Sequence, residues 1–148
     1  LVESLGVKDV EFTGRVNVRD YLGKMDFTLL TSISEGQPLT ILESYAAHKP
    51  VITTDVGNCR ELIYGNEDGF GDAGILTHIM NIEEIAHAMV NMSINEENRK
   101  RMGEAGYKRV NAFYRIDQMK DVYREIYKGF SDSQNLSWTE EPFKINGH

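Results

Sequence analysis

The chain has 148 residues, the length of one domain, and 41% of them are hydrophobic with both charge signs interspersed, which is the composition of a globular core. A formal charge of −7 with no basic cluster to offset it argues against a nucleic-acid partner. Cys59 stands alone, so spacing supplies neither a disulfide framework nor a metal cluster. No run is long and apolar enough for a membrane span and no signal peptide is visible, so a reducing, cytoplasmic setting is expected.

The opening Leu1-Val2-Glu3-Ser4-Leu5-Gly6 reads as the last turn of a helix with glycine as its terminator. With no initiating Met, the chain is expected to be a piece of a longer one. Residues 10–13 alternate apolar and polar side chains and predict a strand. Asn17 is positioned to cap a short helix reaching about Lys24. Residues 26–31, with Phe27-Thr28-Leu29-Leu30-Thr31 apolar and β-branched, predict a buried parallel strand. A helix is expected from Pro38 to His48, stopped by Pro50, with Leu39, Leu42 and Ala46 on its core face. Val51-Ile52-Thr53-Thr54 predicts the next strand, and Ala73-Gly74-Ile75-Leu76 the last. Asn58 with Glu61, and Asn81 with Glu84, have the cap-plus-acid spacing of helix starts. Asn95 begins a further helix, and residues 116–127 predict one more. Strand–helix alternation at this pitch implies an α/β domain over residues 1–130 with a mostly parallel sheet; residues 131–148 are expected to be a loosely ordered polar tail.

The chemistry concentrates in Ser34-Glu35-Gly36-Gln37-Pro38-Leu39-Thr40-Ile41-Leu42-Glu43. A strand precedes it and a helix follows, so free N–H groups at the helix start face the loop, and such an end attracts phosphate. Gly36 allows a tight turn and close approach of a ligand. With Pro38 as the first helical residue, Thr40, Glu43 and Ala47 share a stripe, and Glu43 sits roughly 8 Å up the axis at ~1.5 Å per residue. A phosphate at the helix end would then have one carboxylate on either side. Carboxylates accept hydrogen bonds from hydroxyls, so sugar hydroxyls are natural partners.

This run, with Lys49-Pro50-Val51-Ile52-Thr53-Thr54-Asp55-Val56-Gly57 after it, resembles the retaining GT-B glycosyltransferases of the family 4 type that carry the E-x7-E motif. Many of these have Gly-Phe-Gly where this chain has Gly36-Gln37-Pro38. With Thr13-Gly14-Arg15-Val16-Asn17-Val18-Arg19-Asp20-Tyr21-Leu22 and Asn58-Cys59-Arg60-Glu61-Leu62, it resembles the Pel-type exopolysaccharide glycosyltransferases; the likeness covers about residues 5 to 128. The resemblance implies a Rossmann-like parallel sheet with flanking helices, part of a GT-B C-terminal domain, and a missing N-terminal domain as partner. It further implies a UDP-sugar donor (UDP-glucose), a saccharide acceptor and retention of configuration, with no cofactor and no metal. By the same likeness Glu35, the catalytic residue, contacts the donor sugar, and Glu43 binds the ribose. Backbone groups of Gly36, Gln37, Leu39 and Thr40 face the diphosphate; Pro38 has no N–H to offer. Arg15 and Val16 lie in the loop against which the family binds its base. The Arg and Lys that neutralise the leaving diphosphate in the family have no counterpart here. In the doubly wound order 3-2-1-4-5-6, residues 10–13, 26–31, 51–54 and 73–77 correspond to strands three to six, so the two central strands are absent.

Other readings stay open. Arg15 is a base-stacking or phosphate-pairing residue, or a surface arginine after a turn glycine. Gly57 reads as a turn residue, Glu61 as a capping acid, and His48 and His87 as helix-surface residues. Tyr107, Phe113, Tyr114, Tyr123 and Tyr127 recur at helical spacing and are expected in the core. A glycosidase usually draws its two carboxyls from separate elements on opposite sides of the bond, whereas these two come from one loop and helix, which favours donor binding over hydrolysis. A nucleotide-sugar epimerase of the same fold, or a non-catalytic nucleotide-binding or scaffold module, also accommodates the pattern.

Overall fold

A computed structural model describes the backbone of residues 2–134 and the side chains of residues 2–130. In chain order the elements are α1 (Arg19–Leu22), β1 (Thr28–Leu30), α2 (Leu39–Ala46), β2 (Val51–Thr54), α3 (Cys59–Tyr64), β3 (Gly74–Thr77), α4 (Ile82–Ile94), α5 (Glu96–Phe113) and α6 (Ile116–Gln134). The three strands form a parallel sheet in the order β1-β2-β3, with Leu29 beside Ile52 and Ile52 beside Ile75. Parallel strands need crossovers, and α2 and α3 supply them. This is a Rossmann-like layered α/β domain.

β2 is buried along its whole length and sends alternate side chains to two cores. On one face Val51 joins Ile41 and Tyr45 of α2, Cys59, Leu62 and Ile63 of α3, and Ala105 of α5. On the other Ile52 meets Ala88 and Met92 of α4 and Met102 of α5. Asn81 and Asn95 cap α4 and α5 as expected, their side chains accepting from the N–H of Glu84 and of Asn98. α5 lies close on α2 because Gly106 has no side chain: a Cβ there would stand 2.4 Å from the Tyr45 ring. Arg109 of α5 is 1% exposed and fully engaged. It donates to both carboxylate oxygens of Asp68, to the carbonyls of Leu62 and Ile63 at the end of α3, and to that of Gly71.

Four expectations are corrected. Residues 10–13 form no strand; they are exposed irregular backbone, with Phe12 79% exposed. Alternation makes a strand only where a neighbour accepts its hydrogen bonds, and the outer edge of β1 has no partner among the described residues. α2 starts one residue later than expected: Pro38 is its N-cap, with φ −71° and an extended ψ of 119°. The buried stripe of α2 is Ile41, Ser44 and Tyr45, while Leu39 is 70% exposed, Ala46 is exposed and Leu42 is half-buried. Ser44 can be buried because its hydroxyl meets both the Thr28 hydroxyl at 2.8 Å and the Thr40 carbonyl at 2.9 Å. The aromatic residues expected in the core lie mostly outside it. Phe113, Tyr123 and Tyr127 are exposed, and α6 makes no extensive packing contact with any other described element. α6 continues through Gln134, and the rest of the expected polar tail lies outside the described residues. None of the described helices is long and apolar enough to cross a membrane.

Candidate functional site

The C-terminal ends of parallel strands are where open α/β sheets present their loops to ligands. Two such loops meet here. The first runs from the end of β1 to α2 and carries Glu35, Gly36, Gln37 and Pro38. The second runs from β2 to α3 and carries Asp55, Val56, Gly57 and Asn58. They touch through backbone: the Asn58 N–H donates to the Gly36 carbonyl at 2.8 Å. Gly57, at φ +49°, lies so close that a Cβ would stand 2.1 Å from the Glu35 carbonyl oxygen. An ion pair between Asp55 and Arg60 spans the second loop.

Glu35 is half-buried, and its Oε1 accepts from the Ser32 hydroxyl at 2.6 Å. The Ser32 carbonyl in turn accepts from the hydroxyl of Thr54, the last residue of β2, which is 1% exposed. Gly36 and Gln37 are exposed at the crown of the loop. In the first turn of α2 the Ile41 N–H closes onto the Pro38 carbonyl at 3.2 Å, and the N–H groups of Leu39 and Thr40 come ahead of it. Those two groups form the positive end of the helix dipole. Thr40 and Glu43 face a groove of about 450 Å³ between α1, β1 and α2, walled by Leu22, Phe27, Leu29 and Leu30. The groove lies along the outer edge of β1, which has no strand beside it among the described residues and where Leu29 is 43% exposed.

The structure thus gathers Glu35, Gly36, Gln37, Leu39, Thr40 and Glu43 on one loop and helix end. Arg15 and Val16 sit in the exposed stretch before α1, and no hydrogen bond or ion pair among the described residues ties them to that loop. Glu61 does not cap α3, and the Asn58 side chain makes no cap either. Instead Glu61 accepts from the Tyr114 hydroxyl at 3.5 Å; burial, with this carboxylate alongside, pushes that hydroxyl above its ordinary range. His48 follows α2 rather than lying on it, stacked 3.7 Å from the Tyr107 ring. Among the described residues, no three of His, Cys, Asp or Glu come together to hold a metal.

Sequence reasoning missed three parts of this arrangement. Ser32 and Glu35 have the spacing of a capping box, but no helix begins there, and the pair closes on itself across the turn. Gly57 has the one local signal of a glycine after a strand, which cannot tell a turn from a backbone contact. The Asp68–Arg109 pair, 41 residues apart, has no local signal at all. Arg109 holds the Asp68 carboxyl below the usual carboxylate range, and the Phe70 N–H adds to this.

Comparison with known proteins matches the "Glycosyl transferases group 1" family model over residues 1–109. The chain is 32% identical over 129 residues to the N-acetyl-alpha-D-glucosaminyl L-malate synthase of Bacillus anthracis, covering 86% of this chain and 32% of that protein. It is 28% identical over 115 residues to the UDP-Gal:alpha-D-GlcNAc-diphosphoundecaprenol alpha-1,3-galactosyltransferase of Escherichia coli, covering 76% of this chain and 28% of that one. The chain therefore spans about a third of the length of these relatives. Its fold is similar to that of a sucrose-phosphate synthase from Thermosynechococcus elongatus, with a TM-score of 0.74 at 22% identity over 86% of this chain and 33% of the other. With the family model matching most of its length, the chain belongs to the group 1 glycosyl transferases.

Proposed function

We propose that this chain is the donor-binding part of a longer retaining GT-B transferase, one that moves a sugar from a nucleotide diphosphate donor to a saccharide acceptor. The observation that carries the reading is the clamped loop at the sheet's C-terminal end: Glu35 held in place, and the open N-terminus of α2 directly after it. In this reading Glu35 receives a hydroxyl of the donor sugar and acts as the catalytic residue. Gly36, Gln37, Leu39 and Thr40 face the diphosphate, and Glu43 binds the ribose from the groove side. Arg15 and Val16 are assigned to the base only if the stretch before α1 folds over when donor binds.

UDP-glucose is the proposed donor and exopolysaccharide synthesis the proposed process, as the Pel-type resemblance implies; a cytoplasmic setting is proposed from the lone cysteine and the lack of a visible signal peptide. The uridine donor in the name of the Escherichia coli relative accords with the nucleotide half of this. The chain's coverage of about a third of its relatives accords with a partner domain that brings the acceptor.

The share of the chemistry supplied here is bounded. A helix N-terminus stabilises an anion by ~0.3–1 kcal/mol, up to ~2 when partly buried. Transferases need on the order of 8 kcal/mol or more of barrier lowering. In this reading cations from the rest of the protein supply much of the difference, since the Arg and Lys that do so in the resembled family have no counterpart here. The donor sugar nucleotide is a substrate in this scheme, and no resident cofactor is invoked.

Titrating UDP or UDP-glucose into a longer protein that includes this domain, followed by chemical-shift mapping, tests the reading. Shifts are expected at residues 35–40 and at Glu43. Perturbations confined to α4, α5 and α6 would refute it.

A further inference from the structure

Glu35 is not simply exposed on a loop. Its Oε1 takes the Ser32 hydroxyl at 2.6 Å, and among the described residues no donor meets Oε2. One oxygen is therefore tethered and the other is left to accept from a ligand. The tether is itself anchored. The Ser32 carbonyl accepts from Thr54, whose side chain is buried at the end of the central strand, beside Thr77 of β3. A buried hydroxyl at a strand end is held in place by the sheet's hydrogen bonds and by the packing around it. One residue beyond Glu35, the Asn58 N–H fixes the Gly36 carbonyl. The carboxylate thus sits between two backbone points that are both referred to β2.

We infer that Ser32 is a positioning residue for the transferase reaction, holding the Glu35 carboxylate so that its free oxygen meets the donor sugar, with Thr54 fixing Ser32 to the sheet. The inference rests on the site reading above and goes beyond it, because it assigns a role to a residue outside the E-x7-E run. Without the hydroxyl, Glu35 is free to turn about its side-chain torsions. A carboxylate misplaced by about 1 Å at a reacting centre costs on the order of 100-fold. The donor's nucleotide half is held elsewhere, by α2 and Glu43, so donor affinity should change little.

The test uses the full-length transferase. Ser32→Ala is expected to lower kcat on the order of 10- to 100-fold, with donor KM within about threefold of wild type. Ser32→Thr, which keeps the hydroxyl, is expected to restore most of the rate. In a Glu35→Ala background, adding Ser32→Ala should cause little further loss, because there is no longer a carboxylate to position. Thermal unfolding of each variant shows whether it is folded. Three outcomes would overturn the inference alone: a wild-type rate for Ser32→Ala, no rescue by a folded Ser32→Thr, or losses that multiply in the double variant. A wild-type rate for Glu35→Ala would overturn the site reading and this inference together.

Discussion

Gly57 and Glu35 lie in backbone contact across the two loops of the site: a Cβ on residue 57 would stand 2.1 Å from the Glu35 carbonyl oxygen and 2.5 Å from that of Gly36. Residue 57 also has φ +49°, where side chains other than glycine are strained. The loop that carries the candidate catalytic carboxylate is therefore shaped by a residue on a different loop.

Gly57→Ala should separate the loops. The left-handed conformation alone costs roughly 1–2 kcal/mol, and the clash with fixed carbonyls adds to it. The expected result is a lower unfolding temperature together with weakened binding of UDP, read by calorimetry. Unchanged UDP affinity in a folded Gly57→Ala protein would show that the contact does not shape the site.

The two motif carboxylates should separate kinetically in the full enzyme. Glu35→Gln should lower kcat more than donor affinity, since its partner is the sugar at which bonds change. Glu43→Gln should mainly raise donor KM, because the ribose is remote from that centre. Steady-state kinetics with varied donor distinguish them, and the reverse pattern would mean the two roles are exchanged.

Asp68 and Arg109 should set an acid limit to stability. Their side chains are 4% and 1% exposed, and the Asp68 carboxyl is held below its ordinary range by Arg109. A depressed folded-state pKa contributes stability above the unfolded value of ~3.9, and the contribution is lost as pH falls through the folded value. Denaturant unfolding followed from pH 7 to pH 2 should therefore show a loss that Asp68→Asn flattens. At pH 7 that variant should be less stable by about 3–5 kcal/mol, because Arg109 is left buried without its counter-charge. Arg109→Lys should also destabilise, since one ammonium cannot serve Asp68 and the carbonyls of Leu62, Ile63 and Gly71 together.

The 148-residue chain by itself should not transfer sugar. The outer edge of β1 has no strand beside it among the described residues, and a groove of about 450 Å³ opens there next to Glu43. The stretch with Arg15 is exposed, and no hydrogen bond or ion pair among the described residues ties it to the loop. Loss of even one electrostatic stabiliser typically costs ~100-fold or more. An acceptor-dependent transfer assay on this chain, beside the full-length enzyme, should give turnover only in the second. Comparable turnover would refute the division of labour proposed here.

What the sequence determined by itself is local or compositional. The runs Thr28–Leu30, Val51–Thr54 and Gly74–Thr77 are strands because short apolar, β-branched stretches between helical patterns suit a buried parallel sheet. The caps at Asn81 and Asn95 were legible because a capping bond spans three residues, although the same spacing at Asn58 gives no side-chain cap, its own N–H being drawn to the Gly36 carbonyl of another loop. That the Glu35-to-Glu43 run is a loop leading into a helix was legible because strand, turn glycine and helix start all lie within one short stretch. Tertiary structure alone decided the remainder, because each such feature depends on two segments at once. Residues 10–13 alternate like a strand yet form none, since a strand exists only with a neighbour. α2 buries Ile41, Ser44 and Tyr45 instead of Leu39 and Ala46, since α5 and the sheet choose which stripe is covered. The tethers of Thr54 to Ser32 and of Arg109 to Asp68 join residues 22 and 41 positions apart, and only the folded chain brings such groups within hydrogen-bond range.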